Sequence, residues 1–240
     1  MTNITMLVHD RPEITNQCLS TLWKYSGTPH DYNLTVVNDA SAQETTNLLW
    51  EWEATKAFGM RLVYNEKTNG TGNARNQSVL ESEQAFGRGD YLYLTDNDCY
   101  FLPDWLDNLI ESYEHAHKIG FRVLGAYNHP YNAQAIRAYP TRLTRDNRQF
   151  ELRENYALGG MMSYLMTWST WDQFGPFVST PPGAVRQSED FEICQRIRNA
   201  GYKVGCIYPH IVINTGRTDS FGEQAVGAEC VPDVPGVIIQ

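Results

Sequence analysis

The chain has 240 residues, of which 42% are hydrophobic and 20% are charged, and its formal net charge is −9. This length suits one large α/β domain, and the composition excludes a disordered chain, a collagen and a small disulfide-stapled fold. The acidic balance argues against a dedicated duplex-DNA binder, because such proteins carry a basic excess. Five scattered cysteines, no transmembrane run and no signal peptide lead us to expect a cytoplasmic protein with free thiols.

The first half of the sequence alternates short apolar runs with amphipathic segments. Strands are predicted at residues 4–8, 34–37, 60–64 and 91–94. Helices are predicted from Pro12, around residues 48–52, over residues 74–86 and from Pro103. This alternation indicates a mostly parallel sheet with helices on both faces. Polar clusters follow the strands at residues 9–11, 38–41, 65–73 and 96–98. Ligands bind at the carboxyl ends of strands in such sheets, so this edge is the candidate site.

The second half is less regular. Strands are predicted at residues 122–127, 204–207 and 211–213, and an apolar element starts at Gly159. A helix capped by Ser188 is predicted to start at Glu189 and to stop before Gly201. Residues 128–158 are polar and carry Arg137, Arg142, Arg145, Arg148 and Arg153. We interpret these arginines as a solvated face, with the binding of an anionic acceptor as the alternative.

Two aspartates, Asp96 and Asp98, follow the fourth predicted strand with one residue between them. Carboxylate oxygens are the ligands that Mg²⁺ and Mn²⁺ prefer, and these ions often bridge to a diphosphate. This D-x-D motif therefore predicts a metal site, although an acidic turn would look the same.

The glycines of Asn69–Arg75 form a G-x-G that is similar to a dinucleotide-binding fingerprint. Arg75 replaces the third glycine, and the loop follows the third strand instead of the first, so we reject a Rossmann dehydrogenase. Gly72 would still permit close approach of the backbone to a ligand, or it belongs to an ordinary strand-to-helix turn.

The pair Glu189–Asp190 lies at the start of a predicted helix, where acids stabilise the helix dipole. A carboxylate there could also act as a general base towards an acceptor hydroxyl. His210 and Asn214 flank the last predicted strand, and His210 could complete a metal site, although a lone histidine is more often structural.

Taken in order, these motifs resemble a family 2 glycosyltransferase with the GT-A fold. The similarity spans Ile4 to Gly216, and its pieces are Arg11-Pro12, Val37–Ser41, Asn69-Gly70, Ala74–Asn76, Asp96–Asp98, Gly159-Gly160, Glu189-Asp190 and Gly201–Lys203 into Pro209. The resemblance implies a single domain with a Rossmann-like, mostly parallel sheet and a smaller mixed sheet on the acceptor side. Residues 1–100 would be the donor half, 101–216 the acceptor and catalytic half, and 217–240 a C-terminal tail.

The resemblance also implies a nucleotide-sugar donor, expected to be UDP-linked, a divalent Mn²⁺ or Mg²⁺, and transfer of a hexosyl or pentosyl group with inversion. Asp190 would be the base, with Glu189 beside it. The implied donor-binding residues are His9, Arg11, Asp39, Gly72, Arg75, Asp96 and Asn97, and the implied metal ligands are Asp96, Asp98 and Asn214. The chain departs from the family at Asn38, where an aspartate is usual, and at Asn214, where many members have a histidine that His210 could replace.

The acceptor is left open by the sequence. A glycan, a lipid, a protein and, as in phage relatives of this fold, a modified nucleobase in DNA are all compatible with the resemblance. A nucleotidyltransferase is a second alternative, but residues 9–12 are a poor match to its phosphate loop. A sugar-nucleotide-binding module without activity is a third, and the intact acidic pairs argue against it.

Overall fold

The computed structural model describes residues 1–27, 31–55, 59–128, 135–143, 148–158, 163–179 and 189–216. The strands in these residues are β1 (Thr2–Val8), β2 (Tyr32–Asp39), β3 (Met60–Asn65), β4 (Tyr91–Asp96), β5 (Cys99–Phe101), β6 (Phe121–Gly125), β7 (Arg137–Arg142), β8 (Gln149–Glu154), β9 (Ser163–Thr167), β10 (Lys203–Tyr208) and β11 (Val212–Asn214). The helices are α1 (Pro12–Tyr25), α2 (Gln43–Thr55), α3 (Thr71–Phe86), α4 (Trp105–Lys118), α5 (Trp168–Phe174) and α6 (Glu189–Asn199).

A nine-stranded sheet organises the described part of the chain, in the order β3-β2-β1-β4-β9-β6-β10-β8-β7. Strands β1 to β4 pair in parallel, while β9 lies antiparallel between β4 and β6. Strand β10 is parallel to β6, and β8 and β7 follow as an antiparallel hairpin. The predicted α/β fold with a mostly parallel sheet is confirmed. The small second sheet joins β5 and β11, and it is antiparallel instead of mixed.

Two hydrophobic clusters cover the two faces of this sheet. Alternate residues of β4 show this division, since Tyr93 belongs to one cluster and Leu92 and Leu94 belong to the other. Helices α1, α2 and α4 contribute to the first cluster, and α3, α5 and α6 contribute to the second. The central strands β1 and β2 are almost completely buried, which explains why their sequences are continuous apolar runs.

The helices follow the predicted spacing closely. Pro12 starts α1, whose residues Ile14, Cys18 and Leu22 are buried at helical intervals. Helix α4 begins at Trp105 instead of Pro103, because Asp104 adopts a left-handed backbone conformation with φ of 60°. No helix in the described ranges is both long and apolar enough to cross a membrane.

The β7–β8 hairpin was not predicted. Its two strands lie within the polar stretch 128–158, and β7 is mostly exposed at the edge of the sheet. An exposed edge strand needs no apolar alternation, so its sequence resembles that of a loop. The predicted apolar start at 159–162, the Ser188 cap, Arg145 and the 217–240 tail lie outside the described residues.

Candidate active site

The loops that follow β1 and β2 are tied together at the carboxyl edge of the sheet. The ring Nδ1 of His9 lies 2.8 Å from the carbonyl oxygen of Asp39. The backbone N–H of Asp10 donates to the hydroxyl of Ser41 at 3.0 Å, and the N–H of Ala42 donates to the carboxylate of Asp10 at 2.6 Å. These bonds fix the two loops relative to each other before any ligand arrives.

Three residues of these loops adopt left-handed backbone conformations without being glycine. Their φ angles are 56° at Asp10, 60° at Arg11 and 60° at Ala40. Such conformations cost roughly 1 kcal/mol or more each and concentrate at functional sites. The strain is held by the loop hydrogen bonds and by the start of α1 at Pro12.

Asp39, the last residue of β2, is hydrogen-bonded to the end of β3 and to the loop before α3. Its Oδ1 accepts a hydrogen bond from the side-chain amide of Asn65 at 2.9 Å and another from the backbone N–H of Asn69 at 2.9 Å. Asn65 ends β3, and Asn69 lies in the loop before α3. The buried carboxylate therefore shapes the predicted nucleotide end of the site.

Arg75 and Asp96 form the buried centre of the site. The Arg75 side chain is only 4% exposed, and its Nη2 lies 3.0 Å from Asp96 Oδ1. Its Nε lies 3.7 Å from Glu189 Oε1. Burial opposes the charged guanidinium, but the carboxylates of Asp96, Asp190 and Glu189 together raise the pKa of Arg75 above its ordinary value. Burial raises the pKa of Asp96, and Arg75 counteracts that effect.

Asp98 lies beside Arg11 and Asn214. Arg11 Nη1 is 3.3 Å from Asp98 Oδ2, and the Asn214 side chain forms a hydrogen bond with the carboxylate. The backbone N–H and hydroxyl of Thr215 donate to the Asp98 carbonyl at 2.8 and 3.0 Å. Burial and the neighbouring Asp96 raise the pKa of Asp98 to about 6, against the opposing effects of Arg11 and Asn214.

The small sheet explains how Asn214 reaches this position. Strands β5 and β11 pair antiparallel, with Asn214 opposite Cys99, the residue after Asp98. Gly216 follows closely, and a Cβ added there would overlap Asp98 Oδ2 and lie 2.8 Å from Arg11 Nη1. Gly216 therefore permits the chain to pass against the carboxylate, a requirement that the sequence analysis missed.

The aspartate pair has the chemistry of a site for a hard divalent cation. The Oδ1 atom of Asp98 is buried and accepts no hydrogen bond in the described part of the structure, while Asp96 Oδ1 lies 3.0 Å from Arg75 Nη2. Buried acceptors without partners are costly, and oxygen ligands suit Mg²⁺ and Mn²⁺. With the Asn214 amide beside Asp98, the residues fit such an ion.

His210 does not join this group. Across the described ranges, no set of three or more His, Cys, Asp and Glu side chains gathers in an arrangement that could hold a metal. The His210 ring instead packs against Tyr127 and Tyr208, with ring centroids 5.1 and 5.8 Å apart. This position favours Asn214 over His210 as the third ligand, because the His210 ring packs in an aromatic cluster.

The first turn of α6 brings its two acids to the other side of Arg75. Asp190 is buried, with 5% exposure, and Glu189 approaches the guanidinium. Arg75 thus connects Asp96, from the first half of the chain, to the Glu189–Asp190 pair, from the second half.

Tyr164 on β9 was missed by the sequence analysis. It pairs in register with Leu94, two residues before Asp96, and it is completely buried. Its hydroxyl has no hydrogen-bond partner within the described residues, although Arg75 and Asp190 lie close enough to influence its pKa. Burial raises that pKa well above its ordinary value. The sequence gives no indication that Tyr164 lies at the site, because a tyrosine in an apolar strand is usually a core residue.

Two predicted donor-binding residues, Asn97 and Gly72, make structural contacts within the chain. The side-chain amide of Asn97 donates to the Asp10 carbonyl at 3.0 Å and to the Thr15 hydroxyl at 2.7 Å, so it anchors the loop after β1. At Gly72, an added Cβ would overlap the carbonyl oxygen of Val178. The close approach that Gly72 permits is therefore to another segment of the chain, because α3 packs against it there.

Acids neutralise part of the predicted arginine cluster. Arg153 Nε lies 3.1 Å from Glu151 Oε2, and Arg148 Nη2 lies 3.5 Å from Asp104 Oδ2. The Arg153 guanidinium also stacks on the Tyr208 ring at 3.3 Å. This pattern is consistent with a solvated face.

A sequence profile described as Glycosyl transferase family 2 matches residues 4–168, more than half of the chain. The chain belongs to glycosyl transferase family 2. No curated protein sequence gave a match.

Several solved structures of other proteins have the same fold as this chain. The mannosyltransferase PcManGT from Pyrobaculum calidifontis, in complex with GDP-Man and Mn²⁺, superposes with a TM-score of 0.61 at 13% identity, over 85% of this chain and 56% of that one. S. aureus TarS 1-349 gives a TM-score of 0.59 at 14% identity, over 85% and 57%. Its complex with UDP-GlcNAc gives 0.59 at 14% identity, over 85% and 55%. The chain thus spans a little over half the length of these GT-A proteins.

Proposed function

We propose that this chain is a metal-dependent glycosyltransferase that moves a sugar from a nucleotide-sugar donor to an acceptor hydroxyl. One observation carries the proposal. The pair Asp96 and Asp98 converges on the same buried, arginine-containing site as the Glu189–Asp190 pair. Membership of glycosyl transferase family 2 supports the reaction class.

The donor would bind along the carboxyl edge of the sheet. Asp96, Asp98 and Asn214 would hold Mn²⁺ or Mg²⁺, which neutralises charge on a leaving nucleoside diphosphate when bound. Asp39 and His9 would contact the nucleoside end, and Arg75 would compensate negative charge near the diphosphate. The GDP-Man and UDP-GlcNAc complexes of the structural neighbours support a nucleotide sugar, and we propose a UDP-linked one.

Asp190 would act as the general base. It is buried at the start of α6, where the helix dipole and the adjacent Arg75 favour an ionised carboxylate. From there it can accept the proton of an acceptor hydroxyl as that oxygen attacks the sugar. A single displacement of this kind inverts the configuration at the sugar carbon. Residues 1–100 would then serve the donor, and residues 101–216 the acceptor and the base.

The acceptor is better described as a glycan, lipid or protein than as a modified nucleobase in DNA. Recognition of duplex DNA needs uncompensated positive charge facing the phosphates. Arg148 and Arg153 each have an acidic partner, and the chain has a net charge of −9. A transfer rate that fell steeply with salt would restore the nucleic-acid alternative.

The proposal is tested by incubating the protein with UDP- and GDP-linked sugars and Mn²⁺, with an added glycan or water as acceptor, and measuring release of the nucleoside diphosphate. We expect release by the wild type, and none by Asp98→Asn. Asp190→Asn should keep donor binding in calorimetry but lose roughly a hundredfold in turnover, as expected on removal of a general base. Product stereochemistry from NMR should show inversion.

Asp172→Asn is a matched control, because Asp172 is an exposed acid that pairs with Arg88 outside the site. It should behave like the wild type. Full turnover in EDTA would exclude the metal-dependent mechanism, and absence of both binding and turnover with every donor would exclude the proposed function.

A further inference from the structure

Each carboxylate of the D-x-D motif already has an arginine beside it. Arg75 lies 3.0 Å from Asp96, and Arg11 lies 3.3 Å from Asp98. The aspartate pair of the free protein therefore presents a weaker attraction to a divalent cation than two unpaired carboxylates would.

The two arginines differ in how deeply their side chains are buried. Arg75 is 4% exposed and lies between Asp96 on one side and Glu189 on the other. Moving it would leave buried carboxylates without a countercharge, which is strongly unfavourable. Arg11 is 34% exposed and lies in the loop between β1 and α1, so its guanidinium is far more accessible to solvent than that of Arg75.

The space around Asp98 is limited while Arg11 is present. The Gly216 backbone packs so closely that an added Cβ would overlap Asp98 Oδ2 and lie 2.8 Å from Arg11 Nη1. The guanidinium therefore occupies the approach to Oδ2, while Oδ1 is buried and accepts no hydrogen bond in the described residues.

We propose that the guanidinium of Arg11 is the resident countercharge of Asp98 and must move away when a divalent cation binds the aspartate pair. Arg11 thereby keeps the intrinsic metal affinity of the free protein low. The inference rests on the proposed function for the role of the metal site, but it makes a claim about Mn²⁺ binding alone, without donor or turnover.

The test is a titration with Mn²⁺ in the absence of nucleotide, followed by electron paramagnetic resonance of the free ion. It is run at about pH 7.5, where a carboxyl with a moderately raised pKa is still ionised. Arg11→Met should bind Mn²⁺ at least about tenfold more tightly than the wild type, because a positive charge near the ion has been removed. Arg11→Lys keeps the charge and should bind as weakly as the wild type.

Arg61→Met is the matched control. Arg61 also forms an arginine–carboxylate pair, 3.0 Å from Glu81, but it lies on β3 away from the aspartates. Its loss should leave Mn²⁺ affinity unchanged. A second readout is thermal unfolding, in which Mn²⁺ should raise the midpoint of Arg11→Met more than that of the wild type.

Equal or weaker Mn²⁺ binding by Arg11→Met would overturn the inference, and so would the absence of Mn²⁺ binding by every variant. If Arg11→Met does not fold, Arg11→Gln provides the same comparison. These outcomes are distinct from failure of the proposed function, which would appear as a lack of nucleotide-sugar binding and turnover in a protein that still binds Mn²⁺.

Discussion

Tyr164 and Tyr93 are buried tyrosines on neighbouring strands whose hydroxyls have different surroundings. The Tyr93 hydroxyl forms a hydrogen bond with Ser163, whereas the Tyr164 hydroxyl has no partner in the described residues. We therefore expect Tyr93→Phe to lower the free energy of unfolding by about 1 kcal/mol, and Tyr164→Phe to leave it unchanged or raise it by a similar amount. Urea unfolding of the two variants measures this difference.

The same pair of variants separates stability from function. An unpaired polar group at a site is often retained because a ligand or a moving side chain uses it. We expect Tyr164→Phe to turn over more slowly than the wild type, and Tyr93→Phe to retain its turnover. Wild-type turnover in Tyr164→Phe, or a clear loss of stability, would show that the hydroxyl is only part of the core.

The site residues that the sequence could identify are charged residues that belong to a recognisable motif. Asp96, Asp98 and Arg75 do lie together, and Asn214 was placed beside them on the resemblance alone. Residue type alone suggests His210 as a metal ligand, but its ring packs among aromatic residues. Residue type carries no information on which way a side chain points, so such assignments depend on the surrounding chain.

At the scale of elements, we expect Asp39 to support both the local structure of the site and the binding of the donor. Its carboxylate holds the end of β3 and the loop before α3 through two hydrogen bonds of 2.9 Å. Asp39→Ala removes the buried acceptor of both bonds, which should lower the free energy of unfolding by about 1–3 kcal/mol. The donor dissociation constant should also rise roughly tenfold, because the loop loses its support.

Calorimetry with UDP and urea unfolding provide the two measurements. Glu51→Ala is the control, since Glu51 is an exposed residue of α2. A variant with lower stability but an unchanged dissociation constant would show that Asp39 only supports the fold.

The elements that could be predicted well from the sequence are those whose buried residues recur at the period of their own helix or strand. Strands β1, β2 and β4 and helices α1 and α6 have apolar residues at the spacing of their secondary structure. The β7–β8 hairpin could not be recognised, because its partner strand β10 lies about 50 residues further along the chain and its outer strand faces solvent. Pairing between such distant segments leaves no periodic trace in either sequence.

At the scale of the whole molecule, the site depends on contacts between distant parts of the chain. Asp98 meets Asn214 through the β5–β11 pair, and Arg75 meets Glu189 through the packing of α3 and α6 on one sheet face. The order of motifs indicated the family, but registers of this kind are decided by the packing of the entire sheet. The fold class was thus predictable, while the partners of each charged residue were not.

Protonation of His210 makes the free energy of unfolding of the whole fold depend on pH in the acidic range. Burial and the nearby Arg153 lower its pKa from 6.5 to about 4 in the folded protein. Between these two values the unfolded chain binds a proton that the folded chain does not, so the free energy of unfolding falls as the pH is lowered. The stabilisation is fully present above pH 6.5 and is lost towards pH 4, to a limit of about 3 kcal/mol.

His210→Phe keeps an aromatic ring against Tyr127 and Tyr208 but cannot bind a proton. Urea unfolding of both proteins at several pH values from 7.5 to 4 isolates the contribution of this ring, because all other titrating groups are shared. We expect the wild type to lose about 2–3 kcal/mol more than the variant over this range. Parallel curves for the two proteins would mean that His210 becomes protonated without unfolding the aromatic cluster, and that other buried groups set the acid limit of the fold.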